Sequence, residues 1–245
     1  MDATTTTSIG LTSVDTLART ILSQAATTKM TTSSTAPRLK RILCLHGYTQ
    51  NATVFRKRTA VLRKHLKNIA EFDYISAPHF AHTHVPTTEA EASSDEGQLA
   101  WWTRDHESNA ASPAIGIGAS LALLNAHIRD HGPYDGVLGF SQGAAMAAVL
   151  AMEREQQHTD APMFYLLVSG FVPRDPAILT QFAVSACTAP SMHIWGTADE
   201  WVPPAWSRGL ANSFTTAEVF EHAGAHFVPS DGDARKAIAA WIKEQ

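Results

Sequence analysis

The sequence predicts an α/β domain: a mostly parallel sheet of about six strands with helices on both faces. Three observations carry that reading. Short strand-like segments, most of them apolar runs, recur between positions 42 and 220, and helical spacing fills most of the intervals between them. Strands separated by helices pair in parallel and bury both sheet faces. Of the 245 residues, 44% are apolar and 17% charged, enough for one large core.

The chain opens on a different composition. Residues 1–36 hold 12 Thr and 5 Ser, and their four charges (Asp2, Asp15, Arg19 and Lys29) cancel. Such a stretch has little to bury, so residues 1–37 are expected to be a Ser/Thr-rich, disordered head and residues 38–245 a single domain. Apolar residues at 14, 17, 18, 21 and 22 allow one short amphipathic helix within the head. It lacks the basic start and apolar block of a secretory signal, and one Arg is too few for a mitochondrial presequence. Met30 offers an alternative start, because the foldable pattern begins near Leu39. A cytoplasmic protein is the expectation.

The elements then follow in order. Residues 42–45 form an apolar run that ends in His46-Gly47, a strand and a turn. Residues 53–66 have helical spacing, with basic residues among the polar positions. Residues 72–76 alternate and stop before Ala77-Pro78, a second strand. Residues 79–113 show no clear period and carry six acids against one Arg, which reads as a long active-site loop or lid. A helix is expected over 114–128, a buried strand over 136–140 and an Ala-rich helix over 142–154. Two more apolar strands lie at 163–169 and 192–195. A helix over 204–214, a short strand at 218–220 and a closing helix over 234–242 complete the pattern.

Composition excludes several functions. The net charge of −4 gives no basic face for nucleic acid. Two cysteines make neither a disulfide framework nor a four-cysteine metal site. No apolar run approaches the roughly 20 residues of a membrane span.

The chemistry is carried by Gly139-Phe140-Ser141-Gln142-Gly143, a G-x-S-x-G placed between a strand and a helix. That context lifts a serine hydroxyl above the sheet on a sharp turn, and the following amide, of Gln142, points to where an oxyanion develops. A hydroxyl needs a base, and the base needs an orienting carboxylate, arriving in the order Ser, acid, His after later strands. Asp199 follows the 192–195 strand, and His226 follows the 218–220 strand. The second oxyanion donor is expected from the loop after the first strand, at the amide of Tyr48, with Gly47 allowing close approach.

Other residues offer the same chemistry less well. Glu200 lies beside Asp199, but Asp199 sits at the turn; His222 is nearer the strand end, where a surface role is expected. Asp231 and Asp233 read as cap and first-turn acids of the last helix. His79, His82 and His84 lack a carboxylate or Cys at ligand spacing, so no metal is expected. His46 is expected to fix its loop, and Cys44 to be an inert buried thiol; Cys187 shows no histidine partner. Gly116-Ile117-Gly118 is weak evidence for a phosphate site.

The chain resembles the FSH family of serine hydrolases, members of the α/β-hydrolase superfamily. The likeness is carried by RILCLHGYTQN at 41–51, YISAPH at 74–79, Trp101-Trp102 and YDGVLGFSQGA at 134–144. It continues through Ser169-Gly170-Phe171, GTAD at 196–199 and GAHFVP at 224–229. The resemblance implies an α/β-hydrolase fold, a Ser141–Asp199–His226 triad, no cofactor, and cleavage of a carboxylic ester or acyl thioester. Relatives that release polyketides from fungal synthases imply a pathway role, with the acyl group presented on a carrier domain. Phe80, Trp101, Trp102, Phe171, Trp201, Trp206 and Phe227 flank the active edge; about half are expected to supply an acyl pocket and the rest to pack the core or lid. Two alternatives stand beside this: an idle α/β-hydrolase serving as a scaffold, and a carboxylesterase similar to acyl-protein thioesterases.

Overall fold

The computed structural model describes Met1 and residues 38–81, 97–104, 113–159 and 163–245. The chain divides into two compact units, Met1–Arg38 and Leu39–Gln245, and the second is described below. The expected head, its short helix, Met30, His82 and His84 lie outside the described residues.

The first strand, β1 (Lys40–Leu45), is followed by helices α1 (Ala52–Arg58) and α2 (Ala60–Leu66) and by β2 (Ala70–Ile75). Two two-residue strands, β3 (His79–Phe80) and β4 (Leu99–Ala100), precede α3 (Ile117–His131). Then come β5 (Gly136–Phe140), α4 (Gln142–Gln156), β6 (Phe164–Val168) and α5 (Pro176–Val184). The chain closes with β7 (Ser191–Gly196), α6 (Pro204–Ala211), β8 (Ala217–His222) and α7 (Gly232–Glu244).

Six strands form one sheet in the order β2-β1-β5-β6-β7-β8, every neighbouring pair parallel. The pleat sends alternate residues to opposite faces. Leu43 and Leu45 join an apolar cluster with Val137, Leu167, Trp101 and the whole buried stretch of α4. Ile42 and Cys44 join the other, with Phe55, Leu62 and Leu66 of α1 and α2 and Ile238, Trp241 and Ile242 of α7. Helix α4 is buried continuously from Gln142 to Met152, which its run of alanines permits: small side chains let it lie close to β5 and β6 while other elements cover its back.

Three local features depart from the sequence expectation. The 53–66 helix is two helices broken at Thr59, whose hydroxyl turns back to the Phe55 carbonyl at 2.9 Å and meets the Tyr74 hydroxyl at 2.6 Å. Within 79–113, the described residues include the antiparallel pair β3–β4, too short for a periodicity to reveal. Helix α5 has no counterpart in the expected elements. Its start carries a readable signal, because Asp175 caps it and Pro176 occupies its first turn. It buries no residue fully; Ile178 and Phe182 pack against the core while remaining partly buried.

The strand order places the site. From β1 the chain runs outward to β2, then returns to β5 on the other side of β1 and continues outward. The crevice beyond the carboxyl ends of β1 and β5 is therefore the topological switch point, where open parallel sheets bind ligands. The loop after β1 and the turn after β5 both open onto it.

Candidate active site

Ser141 stands on a strained turn between β5 and α4, with φ 54° and ψ −118°. Close approach of the chain to itself requires the flanking glycines. A Cβ on Gly139 would lie 2.5 Å from both the Gly143 carbonyl oxygen and Ala144 Cα. One on Gly143 would fall under 3.0 Å from the Leu45 and His46 carbonyl oxygens. The Ser141 amide is held by the Val168 carbonyl at 2.8 Å, so β6 supports the turn from the side.

The structure brings Ser141, His226 and Asp199 together. His226 Nε2 lies 3.0 Å from Ser141 Oγ, and its Nδ1 lies 2.7 Å from Asp199 Oδ2. Asp199 follows β7 and is fully buried, and each of its oxygens is occupied. Oδ1 accepts the amides of Trp201 and Val202 at 3.0 and 2.9 Å. Oδ2 accepts the Ser169 hydroxyl at 2.8 Å as well as His226. With a carboxylate facing Nδ1, that nitrogen carries the proton and Nε2 is left to accept from Ser141. Phe140 packs against the imidazole, ring centroids 4.8 Å apart.

Ser169 has no role in the sequence expectation beyond its place in a matching segment. It is buried, in the left-handed region at φ 48°, with its amide on the Ile194 carbonyl of β7 at 2.7 Å. Its hydroxyl donates a charge-assisted hydrogen bond that fixes the carboxylate plane. Ser169→Ala is expected to lower kcat/KM for a short-chain p-nitrophenyl ester about tenfold, with KM little changed. An unchanged kcat would mean that the two amides hold Asp199 unaided.

The loop after β1 is over-determined by hydrogen bonds. His46 is buried; its Nε2 accepts the Ala77 amide at 3.0 Å, so its Nδ1 carries the proton toward the Gly47 carbonyl at 2.8 Å. Burial pushes its pKa down to about 4, so the ring is neutral. Gln50 N–H closes the turn on the Gly47 carbonyl at 3.2 Å, and β4 clamps it: Thr49 N–H donates to Leu99, and Leu99 N–H to Gln50, both at 3.0 Å. Neither the Tyr48 nor the Gln142 amide meets an acceptor among the described residues. Tyr48 and Gln142 line the same cavity as Ser141, and two such backbone donors are what an oxyanion requires.

Gln142 does more than lend an amide. Its side chain accepts the Trp101 amide at 2.9 Å and donates to the Trp102 carbonyl at 2.8 Å, tying the segment after β4 to the start of α4. Those contacts sort the expected pocket residues. A cavity of about 1060 Å³ opens over Ser141 and His226, and Trp102, Phe171, Trp201 and Trp206 line it. Trp101 does not: it is fully buried, its ring against His46 and its indole N–H on the His46 carbonyl at 2.9 Å. Phe80 and Phe227 do not line it either; Phe80 is 40% exposed, and Phe227 packs on His222 at 5.1 Å.

The remaining candidates fall elsewhere. Glu200 is exposed beside the turn that aims Asp199. His222, expected at the surface, is half-buried, its Nδ1 accepting the Gly224 amide at 3.1 Å. Its Nε2 is buried with no partner among the described residues, and burial lowers its pKa. Asp231 caps α7, accepting the amides of Asp233 and Ala234 at 3.0 Å. His79 Nε2 lies 3.0 Å from the Gly116 carbonyl, at the start of α3. Burial pushes the Cys44 thiol pKa up, and that of Cys187 to about 11.

The chain is similar to known proteins in sequence and in fold. A family model described as serine hydrolase (FSH1) matches residues 34–238. Esterase OVCA2 of Danio rerio is 35% identical over 224 residues, spanning 83% of this chain and 96% of that protein. The crystal structure of esterase PE8 aligns with a TM-score of 0.61 at 19% identity, over 84% of this chain and 92% of its own. That of Zea mays acyl-protein thioesterase 2 aligns with a TM-score of 0.57 at 18% identity, over 86% and 95%. At those identities the two structures speak to the fold, an α/β-hydrolase.

Proposed function

The chain belongs to the serine hydrolase (FSH1) family, and we propose that it cleaves carboxylic esters and acyl thioesters by two-step acyl transfer through Ser141. As a serine hydrolase it needs a base at the hydroxyl, and the observation that carries the assignment is the continuous line Ser141–His226–Asp199, at 3.0 and 2.7 Å. Ser141 Oγ attacks the carbonyl carbon while His226 Nε2 takes its proton, and Asp199 stabilises the imidazolium that forms. The amides of Tyr48 and Gln142 receive the oxyanion, each donor worth on the order of 3 kcal/mol. Collapse expels the alcohol or thiol, protonated by His226, and leaves an acyl-serine. Water, deprotonated by the same imidazole, then releases the acid and restores Ser141.

The aromatic lining of the cavity over Ser141 supports an acyl chain as the part of the substrate bound there. The narrower reading, in which that chain is a polyketide delivered on a synthase carrier domain, rests on the family resemblance alone. No helix among the described residues is long and apolar enough to cross a membrane, and the proposed chemistry calls on no metal or cofactor.

The assignment is tested by treating the full chain with a fluorophosphonate and locating the adduct by mass spectrometry after digestion. The adduct is expected on Ser141. No adduct would favour the idle scaffold, and an adduct on another hydroxyl alone would remove Ser141 from the nucleophile's role.

A further inference from the structure

The cavity is chemically lopsided in a way that ester hydrolysis does not need. Its walls are apolar, with Trp102, Phe171, Leu179, Trp201, Val202 and Trp206 among them. Three arginines, Arg58, Arg104 and Arg174, also line it, and among the described residues no Asp or Glu does. The whole chain carries a net charge of −4, so three cations in one cavity run against composition.

No acceptor among the described residues takes a hydrogen bond from any of the three, and no carboxylate there pairs with them. Two nearby acids among the described residues are committed, and a third, Glu200, is exposed and does not line the cavity. Asp175, next to Arg174, spends Oδ1 on the amides of Ala177 and Ile178 and Oδ2 on the amide of Ala114, at 3.0 to 3.3 Å. Asp199 is buried and filled by four donors. Arg174 is stacked on Trp206, 4.4 Å from the ring centroid, which holds its guanidinium at the cavity without using its N–H groups. Arg104 is half-buried, whereas Arg58 at the end of α1 and Arg174 are exposed, as cations at a mouth are.

We propose that the substrate is an anionic acyl ester or thioester, its apolar chain on the tryptophan-lined wall and a phosphate or carboxylate, remote from the scissile carbonyl, on Arg58, Arg104 and Arg174. This rests on the hydrolase reading above for the identity of the scissile bond. Guanidinium forks match both anions in pairs of hydrogen bonds, and an apolar-walled cleft of one sign concentrates the opposite charge. The anion sits either on the leaving group, as a phosphate, or at the far end of the acyl chain, as a carboxylate.

The test is a binding titration read by tryptophan fluorescence, which the lining indoles report, on the full chain carrying Ser141→Ala so that ligands are not cleaved. Three thioesters of one acyl skeleton are compared. Octanoyl-pantetheine is neutral, octanoyl-phosphopantetheine carries phosphate on the thiol side, and the pantetheine monothioester of octanedioic acid carries a carboxylate on the acyl end. At least one anionic ligand is expected to bind about tenfold or more tightly than the neutral one, and which one does so fixes the end the arginines read. Adding Arg58→Gln, Arg104→Gln and Arg174→Gln together is expected to cut that advantage to within about twofold. A partly folded variant loses sites for all three ligands alike, so the ratio survives misfolding. Equal affinity for all three ligands overturns the proposal, as does an advantage that outlasts the triple substitution. Turnover of the same thioesters by the unsubstituted chain is read separately: failure there counts against Ser141 as nucleophile and leaves the binding ratio standing.

Discussion

Asp199→Asn is expected to lower kcat/KM by about 10⁴-fold in a chain that still folds. The size follows from the donors around the carboxylate. An asparagine keeps one acceptor oxygen and gains an NH₂ group that only donates. Oδ1 faces the Trp201 and Val202 amides, which can only donate too, so turning the NH₂ toward them would leave buried donors unpaired. The amide therefore settles with its oxygen on those backbone groups and its NH₂ at the Oδ2 position. There the Ser169 hydroxyl can rotate to accept, but His226 Nδ1 can accept only by giving up its proton. The imidazole then carries hydrogen on Nε2, the atom 3.0 Å from Ser141 Oγ, and can no longer take a proton from it. Steady-state kinetics on a short-chain ester, with circular dichroism to check the fold, measure this. A loss of less than tenfold would remove Asp199 from the role.

Much of this site was legible because its chemistry sits at ends of elements. A strand leading into G-x-S-x-G, and an acid and a histidine each in the loop after a later strand, are patterns along the chain, and the structure gathers Ser141, Asp199 and His226 within hydrogen-bond reach. The inner sheet was legible for a similar reason: β1, β5, β6 and β7, buried on both faces, read as apolar runs. What lies between elements was not. Trp101 and Trp102 are adjacent and alike, yet one closes over His46 and the other faces the cavity. That difference is set by the Gln142 side chain 40 residues on. Ser169 reaches Asp199 only because β6 and β7 are neighbours in the sheet. The two-residue strands β3 and β4 offer no period to detect, and their pairing matters because Leu99 clamps the Tyr48 turn.

Gly143→Ala carries the second large expected effect, because it acts on the distance between two parts of the site. Gly143 is in the first turn of α4, where alanine would ordinarily favour the helix. Here its Cβ would meet the backbone carbonyl oxygens of Leu45 and His46, and no rotamer change relieves a clash with main chain. Either α4 or the end of β1 must give way. Both lead into the proposed oxyanion donors: α4 begins at the Gln142 amide, and β1 runs through His46 into the Tyr48 turn. The strain is of the over-packing kind, about 1–3 kcal/mol, and lowers Tm by roughly 2–4 °C for each kcal/mol in a domain of this size. The kinetic cost is larger, since misplacing one oxyanion donor costs about 10²–10³ in kcat. Gly118→Ala makes the comparison sharp. Gly118 lies inside α3 with open space where its Cβ would go, so that variant is expected to keep its kcat and gain about 0.5–1 kcal/mol of stability. If the two variants proved alike in kcat, the packing of Gly143 against the β1 carbonyls would not be what sets the spacing of the two amides.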